Sequence, residues 1–108
     1  MDNKEPIYRI NKFKLDPILA DKMIPSGAKL VLFNLIYRAG IKNYAFPSQK
    51  RIASDIGLGE RQVRYHLELL HKKGIIRWSR GGAVNPKTGS RVNSNSYNLS
   101  NILMEVKR

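Results

Sequence analysis

Four side chains that are suited to reading DNA bases stand together in one short segment of the chain. They are Arg61, Gln62, Arg64 and Tyr65. Arginine can pair with guanine through two hydrogen bonds, glutamine can do the same with adenine, and tyrosine can contact a thymine methyl group or a phosphate. The segment therefore predicts a base-contacting surface, provided that it is a helix with this side exposed. An ordinary surface helix with solvated arginines is the competing interpretation.

Two further groups of residues have the chemistry to hold phosphates. The first lies where a short helix is predicted to start and consists of Ser48, Gln49, Lys50 and Arg51. The second surrounds a glycine-rich stretch and consists of Arg77, Arg80, Lys87 and Arg91. The free N–H groups of a helix start bind phosphate, and glycines let a loop approach a duplex closely. Ser48 is equally expected as a simple N-cap, and the loop could be solvated without a ligand.

A pair of helices around a tight turn must position these groups. Residues 48–56 predict a short helix, and residues 60–73 predict an amphipathic helix that ends at Gly74. The turn between them is Gly57-Leu58-Gly59. Three apolar residues at i, i+4 and i+7 of the second helix form the stripe that would face the core: Val63, Leu67 and Leu70.

The remaining elements are predicted around this pair. Upstream, Ser26 is expected to cap a helix that closes at Gly40, with its core side at Leu30, Phe33 and residues 35–37. Downstream, the pattern alternates as in a strand, which places Ile76 and Trp78 on one face. A partner strand at residues 96–100 would add Tyr97 and Leu99 to the same layer. Residues 80–96 then form a long basic hairpin loop, or wing.

Segments of different character flank the predicted domain at residues 26–100. Residues 1–25 form a basic arm that could supply a strand or a packing strap, and Pro17 and Pro25 argue against a long helix there. Residues 101–108 form a tail with an apolar side. Arm and tail together could build the seam of a homodimer.

Composition narrows the classes of function. The 108 residues carry 20 Lys and Arg against eight Asp and Glu, a net charge of +12 that favours nucleic acid as the partner. The chain has no Cys, and its two His are five residues apart on one helix, so neither a metal site nor a cofactor is expected. No paired carboxylates, nucleophile motif or phosphate loop is present, and we therefore expect no enzyme. The absence of a secretory signal or membrane span in the sequence predicts a cytoplasmic protein.

The residues 46–80, FPSQKRIASDIGLGERQVRYHLELLHKKGIIRWSR, resemble the winged helix-turn-helix domains of phage and plasmid replication initiators and related mobile-element DNA-binding proteins. Residues 26–40 and 94–100 also resemble the first helix and the closing strand of that family, so the resemblance covers about residues 26–100. This resemblance implies an α+β fold with a three-helix core and a β-hairpin wing. It also implies sequence-specific binding of double-stranded DNA at a replication or conjugative-transfer origin, with groove contacts at Arg61, Gln62 and Tyr65. The chain departs from the family at Gly59, where such domains usually have a Ser or Thr helix cap.

Two other functions stay open from the sequence. A transcription repressor could have the same fold, since fold does not fix biological role. A binder of single-stranded nucleic acid or RNA could instead use the basic loop and stack bases on Trp78 and Tyr97, although alternating aromatic residues on a strand more often face the core.

Overall fold

The computed structural model describes residues 5–79 and 95–106. Its four helices are α1 (Lys12–Ala20), α2 (Ser26–Ala39), α3 (Gln49–Ile56) and α4 (Glu60–Lys72). Its five strands are β1 (Ile7–Ile10), β2 (Tyr44–Ala45), β3 (Arg77–Ser79), β4 (Ser96–Asn98) and β5 (Leu103–Val106).

The helices α2, α3 and α4 pack against one another beside an antiparallel sheet with the strand order β2-β4-β3. The short strand β2 lies between α2 and α3 in the chain, and β3 and β4 form the two sides of a hairpin. This arrangement is the α+β, winged helix-turn-helix fold that the sequence predicted.

The turn between α3 and α4 depends on glycine at its first position. Gly57 adopts φ 73° and ψ 28°, a left-handed backbone conformation that residues with a Cβ atom rarely adopt. Its N–H donates to the carbonyl of Ala53 at 2.9 Å, and the N–H of Leu58 donates to the same oxygen at 3.2 Å. The chain therefore leaves α3 sharply and enters α4 at Gly59, as predicted.

The predicted stripe of α4 is confirmed in the core. Val63, Leu67 and Leu70 are completely buried, together with Ile52 of α3. Tyr97 and Leu99 are also fully buried, and Trp78 packs against the same cluster from β3. One continuous core thus holds α4 in place by its inner side.

The predicted details of α2 are partly wrong. Pro25, and not Ser26, is the N-cap residue, and its carbonyl accepts the N–H groups of Ala28 and Lys29. The buried side of α2 consists of Ala28, Val31, Leu32, Leu35 and Ala39. Leu30, Phe33 and Tyr37 lie on the opposite, exposed side, whereas the predicted core residue Leu35 is buried and Ile36 packs against the core. Gly40 closes the helix as expected.

The arm contains a helix that the sequence analysis did not predict. Residues 7–10 form the expected strand, but α1 then runs through Pro17. Asn11 starts this helix, because its Oδ1 accepts the N–H of Phe13 at 3.1 Å. Proline at position 17 cannot donate to the carbonyl of Phe13, and the high exposure of residue 13 leaves that region open to water.

The arm and the tail pair with each other. Strands β1 and β5 are antiparallel, with Ile7 opposite Val106 and Ile10 opposite Leu103. Ile102 and Leu103 are buried inside this chain, so these two residues are not available for the dimer seam that the sequence suggested.

Candidate nucleic-acid interface

The outer side of α4 carries the four predicted base-contacting residues. Arg61, Gln62, Arg64 and Tyr65 are all exposed. Tyr65 keeps 60% of its surface open to solvent although it belongs to a helix whose inner stripe is fully buried. The helix is therefore held rigidly on one side and presents the four side chains on its other sides, which is the geometry that groove binding requires.

Gln62 also fixes the start of α4. Gly59 is the N-cap residue and has no side chain to accept a hydrogen bond from the helix, as the departure from the family pattern implied. The Oε1 atom of Gln62 accepts the N–H of Gly59 at 3.3 Å. This local role uses the side-chain oxygen that a pairing with adenine would also use.

Arg64 is linked to the preceding helix. Its Nε donates to Oε1 of Gln49 at 3.4 Å, a long hydrogen bond between α4 and the start of α3. Within residues 5–79 and 95–106, this is the one hydrogen bond of the Arg64 side chain, so both Nη groups remain able to contact a base or a phosphate.

The start of α3 lies next to the outer side of α4. Ser48 caps α3, because its Oγ accepts the N–H of Arg51 at 3.0 Å. Ser48, Gln49 and Lys50 line one depression together with residues of α4, β3 and the segment before β4: Glu60, Arg64, Trp78 and Asn95. The residues predicted to bind phosphate and the residues predicted to contact bases thus form one continuous surface.

Arg51 differs from its neighbours because it belongs to an ion-pair network. Its Nε lies 3.6 Å from Oδ1 of Asp55, and Arg38 of α2 contacts the other oxygen of the same carboxylate. Asn34 donates to that oxygen at 3.0 Å. The hydrogen bonds from Arg38 and Asn34 lower the pKa of Asp55, which stays charged and joins α2 to α3.

The predicted wing residues are only partly described. Arg77 lies in β3 and is exposed, so it can reach a ligand. Arg80, Lys87 and Arg91 lie outside the described residues. The base of the wing is anchored to α4, because Nδ1 of His71 accepts the N–H of Trp78 at 3.1 Å.

The aromatic pair that the sequence offered as a base platform is not accessible as a pair. Trp78 and Tyr97 are opposite each other in the sheet, and their rings stack at 6.1 Å on its inner face. Tyr97 is completely buried, so it cannot stack on a base. This finding excludes Tyr97 from the platform, while the basic loop that the single-strand interpretation also used lies outside the described residues.

Glu60 is a candidate that sequence reasoning missed. It lines a depression with Gln49, Arg61 and Arg64, at the N-terminal end of the outer side of α4. A carboxylate there can accept a hydrogen bond from the N4 amino group of cytosine. The available signal was its position directly before Arg61, at the end of the helix that would enter a groove first.

Comparison with known proteins agrees with this geometry. A family model described as a helix-turn-helix domain matches residues 22–76, just over half of the 108 residues. The matched part contains α2, β2, α3 and α4 and ends directly before β3. No curated protein matches the chain significantly. In the part of the chain that the structure describes, every helix is too short or too polar to cross a membrane.

Proposed function

Because the chain belongs to the helix-turn-helix domain family, we propose that it binds double-stranded DNA with sequence specificity. The α4 helix enters the major groove, which is wide enough for one helix and displays a different pattern of donors and acceptors for each base pair. Arg61 and Arg64 read guanine or clamp phosphate, and Tyr65 contacts a thymine methyl group or a phosphate. The observation that carries this proposal is the exposure of these residues opposite the fully buried stripe of α4.

The surrounding cations position the duplex. Lys50 and Arg51 at the start of α3 contact the backbone, since phosphate contacts fix the register and the orientation of a protein on DNA. The wing residues Arg77, Arg80, Lys87 and Arg91 add contacts to the phosphates or to the minor groove. The net charge of +12 supports this arrangement, because each neutralised phosphate releases counterions.

The biological role that we infer is recognition of a replication or conjugative-transfer origin by a plasmid or phage protein. Support comes from the resemblance of residues 46–80 to the winged helix-turn-helix domains of replication initiators. A repressor of the same fold is the alternative.

In either role the protein acts by binding, without a catalytic step or cofactor, in the cytoplasm where such DNA lies. Asp55, an acidic residue close to the interface, is already engaged in the structural link between α2 and α3.

Selection of bound fragments from a pool of random duplexes tests this function directly. The full chain is incubated with the pool at physiological ionic strength, and the retained duplexes are sequenced. We expect one enriched motif, and an inverted repeat of it would indicate a homodimer on the DNA. Copies of the motif within an origin support the initiator role, whereas a single copy over a promoter supports the repressor. Retention of duplexes without any enriched motif would contradict sequence-specific binding.

A further inference from the structure

The outer face of the three-stranded sheet carries aromatic, amide and basic side chains that do not pack into the core. Side chains alternate between the two faces of a strand, and Ala45, Tyr97 and Trp78 point toward the core. Their neighbours therefore share the opposite face. The register places Tyr44 of β2, Asn98 of β4 and Arg77 of β3 in one row across that face, and all three are exposed.

Two stacked aromatic rings lie at the edge of this face. Tyr44 and Phe46 are two residues apart, and their ring centroids are 6.3 Å apart with an angle of 20° between the planes. Phe46 keeps 62% of its surface exposed and Tyr44 keeps 41%. The protein thus presents two nearly parallel aromatic rings to solvent, and Phe46 is the more exposed of the two.

The rings are surrounded by cations. Nζ of Lys42 lies 5.4 Å from the centre of the Tyr44 ring and donates to its hydroxyl at 3.2 Å. On the other side, Phe46 and Pro47 line a depression together with Arg38 and Arg51.

Positive charge dominates around the rings even when nearby acidic groups are counted. Arg38 and Arg51 share the single carboxylate of Asp55, which leaves a net positive charge there. Glu5 lies beside Lys42 and Tyr44, at the far end from Phe46. The end of the surface at Phe46 is therefore the more positive one.

We propose that this aromatic face, formed by Tyr44, Phe46, Lys42, Arg51 and Arg77, binds a single strand of nucleic acid. Unpaired bases stack on Phe46 first and on Tyr44 next, since Lys42 already covers part of the Tyr44 ring. The cations contact the phosphates between these bases. Exposed aromatic side chains flanked by cations bind single strands in this way without reading their sequence.

The chemistry of the face favours an unpaired strand over the two other occupants. A duplex has no free base faces away from its ends, so it can use the cations but not the rings. A protein partner with an apolar surface could use the rings, but it would have to bury the cations beside them at a cost in solvation. Phe46 is two residues from Ser48, so this site borders the proposed duplex interface and could accept a strand that leaves the duplex.

Binding of labelled 12-nucleotide strands to the full chain, followed by fluorescence anisotropy, tests the proposal. The probes are oligothymidylate, oligouridylate, an abasic strand of equal length and an unrelated duplex. We expect Phe46→Ala and Tyr44→Ala to weaken binding of either base-containing strand by roughly tenfold. Binding of the duplex and the abasic strand should change by less than about twofold, because their phosphate contacts are kept. Phe13→Ala, which removes a 91% exposed ring from α1, is the matched control and should change nothing.

Two further measurements separate stacking from charge and from misfolding. The slope of the logarithm of affinity against that of salt concentration should stay the same in Phe46→Ala, since no cation is removed. Phe46→Trp in a Trp78→Phe background should bind oligothymidylate like its parent, with quenching of the new indole fluorescence. Equal losses for the strand, the abasic strand and the duplex would overturn the proposal, as would unchanged strand binding in Phe46→Ala and Tyr44→Ala. If the duplex is not bound specifically but strand binding depends on these rings, the proposed function fails and this inference stands.

Discussion

The imidazole of His66 lies directly against Gly27. A Cβ atom at position 27 would collide with Nε2 of His66 and would lie 2.9 Å from Cδ2 and 3.0 Å from Cε1. The first turn of α2 and the middle of α4 can therefore approach each other only because residue 27 has no side chain. This contact fixes the distance between the helix that supports the fold and the helix that faces the proposed groove.

Gly27→Ala is expected to destabilise the protein. Alanine favours a helix by up to about 1 kcal/mol over glycine, but overpacking against the His66 ring costs about 1–3 kcal/mol. We expect a net loss of up to about 2 kcal/mol in the free energy of unfolding, measured by urea denaturation. Ser26→Ala is the control, because Ser26 is exposed and does not cap α2. A gain in stability on Gly27→Ala would show that the two helices move apart easily.

The same contact predicts a dependence of stability on pH. Burial lowers the pKa of His66 below its ordinary value of 6.5, and its Nδ1 has no hydrogen-bond partner among the described residues. The unfolded chain therefore takes up the proton first as the pH falls. Stability should be fully present above about pH 6.5 and should decrease below it, until the lowered pKa of the folded state is reached. Thermal unfolding between pH 7.5 and 5 measures this loss, and His66→Gln should reduce it. Parallel curves for both proteins would exclude His66 as the cause.

Substitutions on the outer side of α4 test base reading. Arg61→Ala or Arg64→Ala should weaken binding of the selected duplex by about 1–3 kcal/mol if the residue contacts a base, and should relax the preference at one position of the motif. Lys22→Ala removes an exposed cation between α1 and α2 and serves as the control for charge. Competition with point variants of the motif provides the measurement. Equal weakening for all sequences would mean that these arginines contact only phosphate.

Ser48 can be tested separately as a helix cap and as a phosphate contact. Ser48→Ala should lose about 1 kcal/mol of stability together with DNA affinity, since it removes both the cap and the hydroxyl. Ser48→Asp keeps a good cap but places a negative charge beside the proposed phosphate. We expect nearly normal urea unfolding and clearly weaker duplex binding for this variant. Normal duplex binding by Ser48→Asp would place the phosphates elsewhere.

The wing cations should contribute affinity without specificity. Lys87→Ala and Arg91→Ala are expected to weaken all duplexes to a similar extent and to reduce the salt dependence by about one counterion each. Titrations of the selected and an unrelated duplex at several salt concentrations give both quantities. A larger loss for the selected duplex would instead indicate that the wing reads sequence.

The parts of the fold with short-range signals could be predicted from the sequence. The turn at Gly57, the Ser48 cap and the spacing of Val63, Leu67 and Leu70 are all local patterns, and each has one dominant physical reason. The helix α2 was predicted correctly in extent, but of its predicted core residues Leu35 and Ile36 contact the core whereas Leu30, Phe33 and Tyr37 are exposed. Both of its sides carry apolar residues at helical spacing, so periodicity alone could not choose between them.

The parts that depend on distant contacts could not be predicted. Nothing near Ile7 indicates that it pairs with Val106, almost a full chain length away. The helix α1 contains Pro17, which argues locally against it, and Asn11 was not recognised as its cap. The exposed pair of Tyr44 and Phe46 was missed for a similar reason. Their side of the sheet is defined only when β2 pairs with β4, and that strand lies about fifty residues further along the chain.

Because β1 pairs with β5, the folded domain extends beyond the span that the family model matches. The span matched by the family model is residues 22–76, whereas the buried core includes residues on both sides of it. Leu15, Leu99 and Ile102 belong to the same buried cluster as α2 and α4 but lie outside that span. A fragment limited to residues 22–76 would expose apolar surface and would lose the antiparallel pair of strands β1 and β5. Transfer of this DNA-binding domain to another protein therefore requires the β1–β5 strand pair as well as the helices.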